Sequence, residues 1–182
     1  MFKYLVLFFI PDPSHGQICS LADQIAEETD VHPSHVWLAP HVTFHRPIVV
    51  DDEDAVKKHL ADAVARAKRS HITFSGGTDR FDNKDSSYIV LPAQTPLETV
   101  LLWAGVHAAF ADLPGYERNE RDGATLHTTL AEIPAKTCEC VWSTVQKFRR
   151  ERMVIPLTAL SLCRKPIEGG RWEKIALFPI PA

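Results

Sequence analysis

Two tripeptides of the type histidine–x–threonine stand out in this chain, His41-Val42-Thr43 and His127-Thr128-Thr129. Side chains alternate sides along an extended backbone, so an imidazole and a hydroxyl two residues apart share one face of a β-strand. His41 and Thr43 then point one way, with Val42 and Phe44 behind; His127 and Thr129 pair likewise, with Thr128 and Leu130 behind. Two imidazoles on opposite sides of a phosphorus atom can divide the work of an in-line displacement. One takes a proton from the attacking oxygen and the other delivers one to the departing oxygen. Histidine suits either task, because its ordinary pKa of about 6.5 keeps both protonation states within reach near neutrality. Hydroxyls aimed at the non-bridging oxygens would stabilise the negative charge that spreads over them in the transition state.

The pattern is weak when taken singly. The chain holds nine histidines and twelve threonines, and a third copy occurs at His71-Ile72-Thr73-Phe74. An internal repeat separates the three. Displaced by 86 residues, His41-Val42-Thr43-Phe44 falls on His127-Thr128-Thr129-Leu130. The same displacement carries the apolar run around Leu5 onto Tyr88-Ile89-Val90-Leu91, and that in turn onto Lys174-Ile175-Ala176-Leu177. Residues 14–28, with Ile18, Leu21, Ala22 and Ile25 at helical spacing, fall on the helix-like segment from Leu97 to Phe110. The helix-like segment around Val56, Leu60 and Val64 falls on that around Val141, Val145 and Phe148. His71 and Thr73 fall on Leu157 and Ala159, which have no polar chemistry. That third copy therefore reads as a structural strand, with its polar residues on an outer or edge face.

Each half thus runs strand, helix, H-x-T strand, helix, strand, and a final strand at residues 173–178 closes the second. The expected fold class is α+β and bilobal, with two pseudo-symmetric lobes around a central cleft. Each lobe has an antiparallel-type sheet and two helices, all within a single domain over residues 1–182. Turn signals fit this order. Asp82-Asn83-Lys84-Asp85 and Glu168-Gly169-Gly170 read as hairpin connections, and Leu113 to Gly123 as a surface loop.

Bulk properties narrow the function classes. Apolar residues make up 45% and charged residues 24%, as in ordinary globular domains. The formal net charge of −3 argues against a protein that coats long nucleic acid, yet suits a small anion held by a few local donors. The four cysteines (Cys19, Cys138, Cys140, Cys163) form no metal knuckle, because Cys138-Glu139-Cys140 is too tight for the usual zinc pair. They read as incidental thiols of a reducing compartment. The apolar run Tyr4–Ile10 ends at Pro11-Asp12-Pro13 without a small-residue cleavage site, so an opening strand is expected rather than a signal peptide. No apolar stretch is long enough to span a bilayer. The expectation is a cytoplasmic monomer with no membrane contact.

Pro40-His41-Val42-Thr43-Phe44 and Leu126-His127-Thr128-Thr129-Leu130 resemble the paired H-Φ-(S/T)-Φ motifs (Φ apolar) of the 2H phosphoesterase superfamily. That group includes the bacterial 2′-5′ RNA ligase-like proteins and cyclic phosphodiesterases. The resemblance extends over the chain, through Gly76, Gly77 and Phe81 and the closing strands around residues 157–178. One departure is Thr128, which stands where the motif has an apolar residue. The resemblance implies a bilobal fold, no cofactor and no metal, with chemistry on 2′,3′-cyclic phosphates or 2′-5′ phosphodiester bonds. It assigns catalysis to His41, Thr43, His127 and Thr129. The implied partner is a small nucleotide or an RNA end bearing a cyclic phosphate.

Secondary candidates surround these four. His45 shares the His41 face if alternation continues, although its repeat partner is Ala131; Arg46 is within reach of a phosphate. Phe81, Tyr116 and Trp37 offer stacking surfaces for a base, while also reading as core or rim aromatics. Lys147, Arg149, Arg150 and Arg152 read as a solvated helix face. Two rival readings remain open: a metal-dependent hydrolase built on His32, His35, His41 and His45, and a non-catalytic module that binds nucleotides or RNA ends.

Overall fold

A computed structural model describes residues 1–82, 86–114, 116, 126–134, 138–148 and 151–182. Strand β1 (Phe2–Phe9) is a run of aromatic and branched residues, a composition suited to a strand buried on both faces. It pairs antiparallel with β3 (His41–Val50) on one side and β9 (Ala159–Pro166) on the other. Strand β10 (Glu173–Pro179) completes this first sheet beyond β9. The β9–β10 connection contains Gly169 and Gly170 at φ values of 122° and 98°, a backbone region that side-chain-bearing residues rarely adopt.

The second sheet repeats the arrangement. Strand β6 (Ser86–Gln94) pairs with β7 (His127–Pro134) and β4 (Ser70–Phe74), and β4 pairs with β8 (Met153–Leu157). Two short strands add to it: β5 (Asp79–Asp82) on β6, and β2 (His32–Pro33) on the outer side of β7. The H-x-T strand β3 ends its sheet, and β7 has only the two-residue β2 beyond it. The two motif-bearing strands are therefore the margins at which the sheets approach each other, and β3 and β7 are in contact.

Among the described residues, four helices cover the sheets: α1 (Ser14–Thr29), α2 (Glu53–Ala65), α3 (Leu97–Ala111) and α4 (Cys138–Val145). The periodic Ile18, Leu21, Ala22 and Ile25 form the buried face of α1. Helix α2 starts at Asp52, whose carboxylate accepts the Ala55 N–H at 2.9 Å, with Glu53 and Asp54 in the positively polarised first turn. Helix α1 packs on β7 and α4, whereas α3 packs on β3, β4 and α2. Each sheet thus carries one helix from each half of the chain. The expected bilobal α+β architecture is present, but the halves exchange helices and strands: β4 joins the second sheet, and β9 and β10 join the first.

One buried cluster runs from Tyr4, Val6 and Phe8 of β1 to Ile89 and Leu91 of β6. A smaller one lies on the opposite face of β1, where Leu5, Leu7 and Cys163 pack with Phe9, Leu38 and Trp172. Burial there pushes the Cys163 thiol up to about 11, far from nucleophilic use. Among the described residues, no helix is long and apolar enough to cross a membrane.

Three local expectations need correction. Strand β4 is flanked on both sides, by β6 and β8, so it is not an edge; His71 is exposed, but Thr73 is buried. The 86-residue displacement places His71 and Thr73 astride the β8–β9 junction, where the repeat no longer matches structural equivalents. Helix α4 ends at Val145, so Lys147 and Arg152 follow it rather than forming a helix face; Arg149 and Arg150 lie outside the described residues. The hairpin residues Asn83, Lys84 and Asp85, and most of the Leu113–Gly123 loop, also lie outside them.

Candidate active site

Burial alternates along both motifs. His41 and Thr43 are half-buried around buried Val42, and His127 and Thr129 are half-buried around buried Thr128. The same irregularity then interrupts each strand. Thr43 pairs with Leu7 but His45 with Val6; Thr129 pairs with Val90 but Ala131 with Ile89. Phe44 and Leu130, 86 residues apart, are thus the extra residues of two matched β-bulges. Both are wholly buried. Helix α3 secures the first bulge, with His107 Nε2 3.0 Å from the Phe44 carbonyl oxygen.

The bulge changes the fate of the next residue. It breaks the alternation on which His45 shared the His41 face, and turns His45 toward the core side with Val6. His45 is 3% exposed, with its ring 4.3 Å from that of His107 and 4.9 Å from that of Phe110. Tyr116 belongs to the same packing group, 5.6 Å from the His45 ring. Two of the four expected substrate contacts therefore lie behind the sheet. Arg46 is different: with Pro47 it occupies the exposed stretch between the His45–Val6 and Ile48–Tyr4 pairs.

The surroundings of His41 set its tautomer and the direction of its pKa. His41 Nδ1 lies 2.8 Å from the Ala39 carbonyl, which can only accept, so Nδ1 carries the proton and Nε2 of the neutral ring offers a lone pair. Burial lowers the His41 pKa below the ordinary imidazole value. The Ala39 carbonyl opposes this, and the charge of nearby His127 adds to it. The contact between β3 and β7 brings the two motifs to one site. Phe9 meets His41 edge-on at 6.2 Å, and Phe81 lies against His127 at 4.7 Å between ring centroids.

Phe81 is held there by its own strand. Neighbouring Arg80 reaches Asp82 at 3.0 Å and Glu139 of α4 at 2.8 Å, and its guanidinium lies 5.7 Å from the Trp142 ring centroid. On the other flank, the single 3₁₀ turn Ser34–Val36 fastens the segment before β3 onto β7, with the Ser34 hydroxyl donating to the Thr129 carbonyl at 2.5 Å. Trp37, at the end of that turn, is 78% exposed.

The histidine-rich segment does not converge. His32 is on β2, His35 pairs with Asp23 of α1 at 3.2 Å, His41 faces the cleft and His45 faces the core. Among the described residues, no three His, Cys, Asp or Glu side chains are grouped to hold a metal ion. Sequence reasoning missed Phe9, the Ala39 carbonyl and Ser34. Phe9 becomes visible only with the β1–β3 register, the Ala39 carbonyl is a backbone group without a side-chain signature, and the Ser34 hydroxyl finds its partner in the backbone of β7.

Paired H-x-T strands at the facing margins of two sheets define a class of bilobal two-histidine proteins. Residues 10–164 match the family model of the 2′-5′ RNA ligase superfamily, and the chain belongs to that family of 2H phosphoesterases. Among curated protein sequences none is similar enough to match. Solved structures share the fold at low identity. TT0787 of Thermus thermophilus aligns with a TM-score of 0.63 at 16% identity, over 98% of this chain and 97% of that one. The Escherichia coli LigT complex with 3′-AMP gives 0.61 at 12%, over 99% and 98%. Kluyveromyces marxianus Usb1 with uridine monophosphate gives 0.59 at 11%, over 100% and 98%.

Proposed function

We propose that the protein is a metal-independent phosphoesterase acting on 2′,3′-cyclic phosphates or 2′-5′ phosphodiester bonds of small nucleotides or RNA ends. The observation that carries this reading is the pair of H-x-T strands, in contact with each other and each followed by the same bulge. The fold relatives solved with 3′-AMP and uridine monophosphate agree with a nucleotide-sized ligand.

The geometry suggests a division of labour. With Nδ1 committed to Ala39, His41 presents Nε2 to the cleft, and its lowered pKa keeps it neutral near pH 7. It serves as the base that takes a proton from water as the water oxygen bonds to phosphorus. His127, protonated, gives its proton to the ribose oxygen as the phosphorus–oxygen bond breaks, so both protons are accounted for. Thr43 and Thr129 donate to the non-bridging oxygens, and Arg46 and Phe81 hold the phosphate periphery and the base. Water returns the proton to His127 and removes it from His41 before the next turnover.

The test is a screen of wild-type protein, with and without EDTA, against 2′,3′-cyclic nucleotides, 2′-5′ dinucleotides and cyclic-phosphate RNA ends. Chelator-insensitive turnover of at least one class is expected. Binding without turnover would make the protein a nucleotide-binding module instead, and loss of turnover with EDTA would restore the metal-dependent reading.

A further inference from the structure

Helix α3 is apolar on both faces. Thr99, Leu102, Val106 and Phe110 face the core, while Leu97, Val100 and Leu101 are 67%, 44% and 61% exposed on its outer side. Solvated helices ordinarily cover that side with charge, so the outer stripe needs an explanation. It borders an open groove of about 690 Å³ between α2 and α3. The groove lies on the core side of the first sheet, away from the His41–Thr43 face, and so belongs to no part of the proposed active site.

Two properties vary along this surface, and both are lopsided. Size is the first. The N-terminal half of the outer stripe is large (Leu97, Val100, Leu101), and the C-terminal half is small (Ala104, Ala108, Ala111, all exposed). A Cβ added at Gly105 would meet nothing within 4 Å. Charge is the second. The C-terminal end of α2 lies beside the N-terminus of α3, as the 2.6 Å Ser70–Thr99 hydroxyl contact requires. That end carries exposed Arg66, Lys68 and Arg69 against two carboxylates, Glu98 and, one turn back along α2, Asp62, while Asp112 closes the other end at the negatively polarised terminus of α3.

We infer that this face is a twofold interface between two copies of the chain, with α3 packed antiparallel against its mate. A twofold mate reverses the helix, so it converts a lopsided surface into a complementary one. Centred on Ala104, it sets Leu97 and Val100 of one copy on Ala111 and Ala108 of the other. The basic end then meets the partner's Asp112, and the two helix dipoles oppose. An unrelated partner would need to match both gradients by coincidence.

Sedimentation equilibrium from about 5 to 500 µM, a span that reads micromolar dissociation constants, tests the inference. Wild type is expected to shift from one chain mass toward two. Leu101→Glu, at an exposed position that leaves the circular dichroism and thermal midpoint unchanged, should weaken association at least about tenfold. Arg66→Glu with Lys68→Glu should weaken it several-fold, and adding Asp112→Lys to that pair should restore it. A wild type that stays monomeric throughout overturns the inference, as does association indifferent to Leu101→Glu. Failure of Asp112→Lys to restore association overturns the antiparallel arrangement. Turnover by the monomeric Leu101→Glu variant should equal that of wild type, which keeps this test separate from that of the catalytic reading.

Discussion

Strands β3 and β7 are two solutions to one positioning problem. Both place histidine and threonine on a half-buried face, at a sheet margin, one residue before a bulge. Their other faces differ. Val42 and Thr128 occupy equivalent buried positions, and so do His45 and Ala131 beyond the bulge. The aromatic neighbours of the two histidines also differ in distance: Phe9 lies 6.2 Å from His41 and Phe81 4.7 Å from His127. The two strands agree on the face that would meet substrate and diverge on the faces that pack. Such a site is symmetric in its reacting groups and asymmetric in the packing around them.

The largest expected effect tests the symmetric part. His41→Ala and His127→Ala should each cut kcat/KM by at least about 10²–10⁴, since neither proton transfer can be skipped. Unchanged circular dichroism would show the fold intact. A single mutant retaining near-full turnover on every substrate would end the paired-histidine mechanism. Next in size are Thr43→Val and Thr129→Val, which keep shape and remove one donor each. Each should cost roughly 10²-fold or more in kcat, with KM changed less. A loss confined to KM would mean the hydroxyls only bind the ground state.

The reacting face was legible from residue order because strand alternation and a fixed repeat both act on neighbouring residues. His41, Thr43, His127 and Thr129 could be paired without any knowledge of register. What alternation could not reveal was the bulge. No glycine or proline marks Phe44 or Leu130, and the extra residue exists only relative to the partner strands β1 and β6. His45 was misplaced for that reason, and Tyr116 went with it to the core side. The exchange of strands between sheets was equally hidden. Repeat arithmetic preserves the order of elements, but it does not say which sheet each strand joins.

Smaller effects test the asymmetric support. Phe81 is closer to its histidine than Phe9 is, at 4.7 Å against 6.2 Å. Phe81→Leu should therefore lower kcat/KM several-fold, in keeping with the roughly 0.5–1.5 kcal/mol of a ring pair, and Phe9→Leu should lower it less. Equal losses would remove the distinction. The pKa of His41 carries a definite sign. Burial and the His127 charge lower it, so as the base it stays active to a lower pH than an ordinary imidazole would. The acid limb of kcat/KM should then lie below pH of about 6.5. In an NMR titration, His127→Ala should move the His41 midpoint upward, because one lowering influence is gone. A midpoint that stays in place would mean the rings are not electrostatically coupled, and a downward move would reverse the sign of that influence.

The smallest effect concerns stability alone, at the position where the packing faces differ. Thr128 is fully buried, and its hydroxyl has no hydrogen-bond partner among the described residues, whereas Val42 fills the equivalent site in β3 with a methyl. Burying an unsatisfied hydroxyl costs about 1–3 kcal/mol, so Thr128→Val should stabilise the fold by about 1 kcal/mol. For a chain of this size that raises the thermal midpoint by roughly 2–4 °C. The reciprocal change, Val42→Thr, should lower it by a similar amount. Turnover should not change in either variant, because both side chains point away from the histidines. If Thr128→Val instead destabilises the protein, the hydroxyl is bonded in solution. The packing face of β7 would then be as well satisfied as that of β3, and the asymmetry would lie only in the rings beside the two histidines.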